Sequence, residues 1–137
     1  MARRLVLLVA ASVLLMGCGG SSKQLTEQSL KKEVETVQGL AAEAALLADG
    51  AAQGRTLGTF TRMHAEDLAT PAKTSARSLR TARAPHALEP KRRAAVFLAA
   101  RVYSSLTQLQ RGVPRERARL IARSLHASEQ KLAELAQ

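Results

Sequence analysis

From position 30 the chain places small apolar residues at alternating four- and three-residue steps: Leu30, Val34, Val37, Ala41, Ala44, Ala48 and Ala51, with Leu40 and Leu47 beside them. An α-helix, with a period of 3.6 residues, gathers residues so spaced onto one stripe, whereas a strand would scatter them over both faces. The spacing predicts a helix over 24–53, about 45 Å long at 1.5 Å per residue. Its other side carries Glu27, Lys31, Lys32 and Glu35, an ordinary solvated face with Glu27 and Lys31 spaced for a weak ion pair. Aromatic residues make up 2% of the chain and tryptophan is absent. β-Branched residues are sparse beyond the first eighteen positions, so a sheet is not expected.

Glycine and proline divide the remainder. Gly50, Gly54 and Gly58 fall four apart, the spacing of close-packed membrane helices, but their flanks are polar. Gly54 therefore reads as the residue closing the first helix and Thr56 as the N-cap of the next. A second helix over 57–83 would present Leu57, Phe60, His64, Leu68, Ser75, Leu79 and Ala82 to the first. Pro71 removes a bond to the Asp67 carbonyl and costs about 3 kcal/mol inside a helix, so a kink or a break is expected at Thr70. Thr70 and Pro71 would also serve as a fresh N-cap and first turn. Pro85 and Pro90 make 84–90 a connector. A third helix over 90–110 offers Ala95, Val96, Ala99, Val102, Tyr103, Leu106 and Leu109 for burial. Gly112-Val113-Pro114 then reads as stop, turn and restart. Ala118, Ile121, Leu125, Ser128, Leu132 and Leu135 keep a heptad-like spacing to the end. The expected fold is all-α, an antiparallel up-down four-helix bundle with its second helix kinked or broken near Pro71. Three helices plus a broken second is the alternative. Alanine-rich seams bury little area per residue, so stability should be modest and a homodimer would supplement it.

The first eighteen residues are of another kind. Arg3 and Arg4 precede an apolar run from Leu5 to Leu15, and Leu15-Met16-Gly17 lead to Cys18, the chain's single cysteine. This resembles a bacterial lipoprotein signal peptide ending in a lipobox at Leu15, Met16 and Gly17. The resemblance implies that Cys18 receives a diacylglyceryl group, that 1–17 are removed, and that the new amino terminus is acylated. A plain secretory signal with an incidental cysteine is the alternative. An apolar run of about a dozen residues falls short of the roughly 20 that span a bilayer. Gly19 rather than an aspartate follows the cysteine, so the resemblance implies the periplasmic face of the outer membrane in a Gram-negative cell. Residues 18–23 become the lipidated cysteine and a flexible tether, Gly19-Gly20-Ser21-Ser22 among them, and 24–137 the helical domain. With no other cysteine, disulfides and cysteine metal sites are excluded there.

Charge has content of its own. The chain carries 21 Lys+Arg against 11 Asp+Glu, a net +10 that falls to +8 when Arg3 and Arg4 leave with the leader. Lys73, Arg77, Arg80 and Arg83 line one side of the second helix, Lys91-Arg92-Arg93 open the third, and Arg115, Arg117, Arg119 and Arg123 crowd the fourth. Three cations at a helix start oppose the macrodipole, a cost that a bound anion would relieve. Arg77, Arg80, Lys91, Arg92 and Arg93 are thus the candidate anion-binding residues. The partners expected in an envelope are phospholipid head groups, lipopolysaccharide phosphates or acidic polymers. Nucleic acid is excluded by the leader, and no aromatic residues interleave the cations for base stacking. The plain alternative is a solvated arginine-rich surface.

His64 sits on the apolar stripe of the second helix where Glu43 would face it, a candidate buried imidazole–carboxylate pair. No metal or cofactor is expected. Positions three before His64, His86 and His126 are Thr61, Arg83 and Arg123, so the Glu-x-x-His pairs of di-iron bundles are missing. No serine lies in G-x-S-x-G, and no glycine-rich phosphate loop precedes a helix. Glu66 and Asp67 are adjacent and point about 100° apart on a helix, a poor acid–base pair. A non-enzymatic reading follows: a membrane-anchored envelope lipoprotein acting as a structural or interaction module toward an envelope protein or an anionic lipid or polymer. The alternative is a periplasmic helical chaperone or stress sensor. Leu25-Thr26-Glu27-Gln28 resembles the L-T-x-x-Q motif of the Spy and CpxP group, with the glutamine one residue early and in a single copy.

Overall fold

The structure, a computed structural model, describes residues 24–137. The lipobox residues Leu15, Met16 and Gly17, Cys18 and the tether lie outside the described residues. The described chain is a helical bundle of four helices with no named strand: α1 (Glu27–Ala52), α2 (Gly58–Thr81), α3 (Glu89–Gln110) and α4 (Arg115–Ala136). A 3₁₀ turn, His86–Leu88, fills part of the connector ahead of α3. No helix among the described residues is long and apolar enough to cross a membrane.

Each boundary has a local cause. Thr26 caps α1 by accepting from the Ser29 amide at 3.1 Å, and the Ser29 hydroxyl accepts from the Thr26 amide at 2.9 Å, so two of the orphan donors of a helix start are satisfied. Gly54 and Gly112 end α1 and α3 with φ of +68° and +79°, a region that a side chain disfavours. Thr56 is not the cap of α2. Leu57 holds that position with no side-chain bond, and the Thr56 hydroxyl lies 3.0 Å from that of Thr61 instead. Pro114 precedes the first residue of α4, where a missing N–H costs nothing.

α1 packs chiefly on α4 and α2 on α3, with α1 also meeting α2 and α3. Ala41, Ala44, Ala45 and Ala48 are fully buried, and methyl-sized side chains let α1 lie close to three neighbours. Leu30, Leu79, Leu106, Leu109, Leu125 and Leu132 fill the core, each contributing about 1.5–3 kcal/mol by leaving water. The stripe of α1 is buried as spaced except at its end, where Ala52 replaces Ala51.

Three further expectations need correction. Pro71 lies inside α2, which spans Gly58–Thr81 as one element, so the break at Thr70 is not there and no new helix begins at Pro71. The buried seam of α2 is Thr61, Ala65, Leu68, Ala72, Ser75 and Leu79, whereas Leu57 is 79% and Phe60 55% exposed. Small residues on the seam bring α2 against α3, and this turns its bulky amino-terminal side chains outward. In α3, Leu98 and Ser105 are buried where Val96 and Tyr103 were expected, both of which are only partly covered.

Candidate functional site

The start of the described chain is pinned to the end of α2. The Leu25 amide donates to the Arg83 carbonyl at 2.8 Å, and Gln24 forms an isolated parallel bridge with Arg83. Leu25 is itself buried. Residue 24 is therefore at the end of the bundle where α2 finishes.

α3 begins at that same end. The last carbonyls of a helix lack intrahelical partners, and the Arg92 guanidinium reaches from α3 to two of them, Leu79 at 2.9 Å and Arg80 at 3.3 Å. The same group is held by Glu89 through two parallel bonds, Nε to Oε2 at 2.9 Å and Nη2 to Oε1 at 2.7 Å. Arg93 donates from Nε to Glu89 Oε1 at 2.9 Å. The hydrogen bond from Arg92, followed by that from Arg93, holds the Glu89 carboxyl down at about 2, and the Glu89 bond in turn raises Arg92. Glu89 in the first turn of α3 is also the anion that a helix N-terminus favours.

These contacts separate the five candidate cations. Arg92, with a side chain 16% exposed, spends its donors inside the fold, joining the end of α2 to the start of α3. Arg77, Arg80 and Arg93 are exposed and Lys91 is half-buried. Arg93 is the one of these four with a carboxylate within 4.0 Å among the described residues, and its side chain is still 75% exposed. Arg83, exposed beside Gln24, joins the cluster. Arg83 and Glu89 were missed as members. Glu89 stands three and four residues before Arg92 and Arg93, the helical pairing distance, and that spacing was the signal for it.

The Glu43–His64 contact exists, with Nε2 2.9 Å from Oε1, but it is not buried: the side chains are 35% (His64) and 50% (Glu43) exposed. His64 follows from the rotation of α2, standing one position before the seam residue Ala65, and its ring stacks on Phe60 with centroids 5.6 Å apart. A second imidazole, unforeseen, clips α1 to α4. His126 Nε2 lies 2.8 Å from Asp49 Oδ2, and Nδ1 lies 3.6 Å from Glu129 Oε2. The bond to Asp49 raises the His126 pKa against a smaller effect of burial. Among the described residues no three His, Cys, Asp or Glu side chains gather in a way that would hold a metal ion.

A groove of about 390 Å³ lies between α3 and α4 over Ala94, Phe97, Leu98 and Leu135, with Lys131 and Glu134 at its sides. Its lining is mostly hydrocarbon. The chain matches no protein-family model, no curated protein and no solved structure.

Proposed function

We propose that this chain is a membrane-anchored envelope lipoprotein, lipidated at Cys18 and cleaved after Gly17, whose helical domain is a non-enzymatic interaction module. Its basic end, Arg77, Arg80, Arg83, Lys91 and Arg93, binds the anionic head groups of the membrane in which the anchor sits. The observation that carries this reading is the Leu25–Arg83 bond, because it ties the tether to the basic end. Cys18 is six residues before Gln24, a link that spans about 20 Å at most when extended. A domain so tethered holds the cations around Arg83 nearer the head groups than any other part of the bundle. Each Lys or Arg close to an anionic surface contributes about 1 kcal/mol, an attraction that fades beyond a Debye length of about 10 Å.

The finer architecture belongs to the same proposal. Short turns at Gly54 and Gly112 support an up-down antiparallel order of the helices, with α2 bent where Pro71 lacks its N–H. The placement is the periplasmic face of the outer membrane in a Gram-negative cell. Single-copy resemblance at Leu25-Thr26-Glu27-Gln28 gives the chaperone alternative no added support, since Thr26 is occupied as the cap of α1.

The test is flotation of residues 18–137 carrying Cys18→Ser, the mature chain without its lipid, with vesicles of phosphatidylcholine alone or containing phosphatidylglycerol. Binding is expected only to the anionic vesicles. It should fall by at least a hundredfold when Arg77, Arg80, Arg83, Lys91 and Arg93 are changed together to Gln, about 1 kcal/mol per cation summing to more than two factors of ten. Equal binding by the parent and the fivefold variant would sink the reading.

A further inference from the structure

The apolar groove between α3 and α4 takes no part in the reading above, and its place in the bundle says what it faces. On α3 it is lined by Ala94, Phe97 and Leu98, in a helix that starts at Glu89. At 1.5 Å per residue these stand about 8–14 Å along the axis from that start. On α4 it is lined by Lys131, Glu134 and Leu135, the last of them next to Ala136, where α4 finishes. The groove therefore belongs to the end of the bundle where α2 finishes, α3 starts and Gln24 bridges to Arg83. From that end the chain runs back toward Cys18.

Two properties of the groove go together. Phe97 is 63% exposed, a large ring left in water beside a hollow whose floor is the buried Leu98. A lone exposed apolar residue is ordinary, but one that walls a concave hydrocarbon lining marks a place for a ligand. The volume of about 390 Å³ falls within the roughly 300–1,000 Å³ of small-molecule sites. Cations stand around this lining. Lys131 is part of it and has no carboxylate within 4.0 Å among the described residues. The exposed Arg93 comes four residues before Phe97, one turn nearer the basic end on the same side of α3. Arg101 comes four after it and donates to Ser124 of α4 at 2.9 Å. Against these cations the lining sets one carboxylate, Glu134. Hydrocarbon within and positive charge around it match an amphiphile with an apolar tail and an anionic head. A bare phosphate would leave the hydrocarbon in water, and an uncharged chain would make no use of Lys131 or Arg93.

We propose that this groove takes the acyl tail of a single anionic phospholipid, laid over Leu98 and against Phe97, with its head group beside Lys131 and Arg93. The inference rests on the reading above for the source of the lipid, a membrane held next to the basic end. Where that reading needs charge alone, this one needs a tail.

Residues 18–137 carrying Cys18→Ser are titrated by isothermal calorimetry with dihexanoylphosphatidylglycerol kept below its micelle concentration, and with glycerol 3-phosphate, an anion without a tail. Saturable one-to-one binding of the lipid is expected, about tenfold or more tighter than that of the tailless anion, a factor that burial of about two methylenes supplies. Phe97→Gln removes the wall and Ala94→Leu fills the hollow. Phe97 is exposed and Ala94 half-buried, so both variants should keep the parent's helicity by circular dichroism. Each should weaken lipid binding about fivefold, the one by taking away apolar contact and the other by occupying the space. Leu57→Gln, at an exposed residue at the start of α2, is the control and should bind as the parent does. No saturable binding of the lipid, equal affinity for glycerol 3-phosphate, or lipid binding that neither groove variant weakens would overturn the proposal even with flotation as expected. Flotation insensitive to the five cations, with single-lipid binding intact, would sink the reading above and leave the groove standing.

Discussion

Replacing Arg92 by Leu removes a side chain that hydrogen-bonds the start of α3 to the end of α2. The variant leaves the Leu79 and Arg80 carbonyls without their donor and releases Glu89 from two of its three bonds. Bonds from a charged donor contribute about 1.5–3 kcal/mol each when sheltered and less when long or wet. The Leu79 bond is 2.9 Å, the Arg80 bond 3.3 Å, and the Arg92 side chain is 16% exposed. A loss of about 2–3 kcal/mol follows, or about 10 °C in melting temperature for a domain of this size. Arg93→Leu is the control: that side chain is 75% exposed, and exposed pairs contribute about 0.2–1 kcal/mol. Urea titration of both variants against the parent is the assay. Acid adds a second readout. A carboxyl whose folded pKa lies below its unfolded value contributes stability that is complete above the unfolded pKa and lost as pH falls toward the folded one. For Glu89 the window runs from 4.5 down to about 2, and its slope should flatten in Arg92→Leu. Equal urea midpoints for Arg92→Leu and Arg93→Leu, with unchanged acid slopes, would refute the reasoning.

His126 gives the opposite pH dependence. Its folded pKa is raised above the ordinary 6.5, so its contribution is complete below that value and disappears as pH rises through the folded pKa. Urea midpoints of the parent should therefore decline across that window, and those of His126→Gln should decline less. Two glycines should respond with opposite signs to alanine in thermal unfolding. Gly54→Ala forces a Cβ onto φ +68° and against Arg115, lowering stability by about 1–2 kcal/mol. Gly39→Ala, with nothing near its Cβ position inside α1, should raise it by about 0.5–1 kcal/mol.

What was legible in the sequence is what depends on local chemistry. Gly54 and Gly112 end helices because the left-handed region favours glycine, and Pro114 precedes one because its ring suits a first turn; neither needs a partner. The α1 stripe could be read because its buried face is wide, with nine buried residues on a helix that meets the other three. On α2 the expected face and the buried seam both keep helical spacing and share Leu68, Ser75 and Leu79; they part before Leu68, where the seam steps to Ala65 and Thr61 rather than to His64 and Phe60. Counting back from Leu79 and Ser75 at three and four gives Ala72, Leu68, Ala65 and Thr61, all small except one, and that regular seam is the buried one. Phe60 and Leu57 lie off that seam and are exposed. Pro71 interrupted the reading but not the element, since neighbouring helices can hold a turn that lacks one bond. For the site, helix spacing could place Glu89 with Arg92 and Arg93. It could not show that Arg92 reaches across to Leu79, or that Gln24 docks on Arg83, because both contacts depend on how separate elements meet.

The central claim is that the chain is held at the membrane through Cys18, close to its basic end, and mass spectrometry of the protein isolated from its own cell envelope tests it most directly. The account predicts a chain that begins at Cys18, with a diacylglyceryl group on Sγ and residues 1–17 gone. A chain retaining that leader, or one with an unmodified thiol at Cys18, would contradict it.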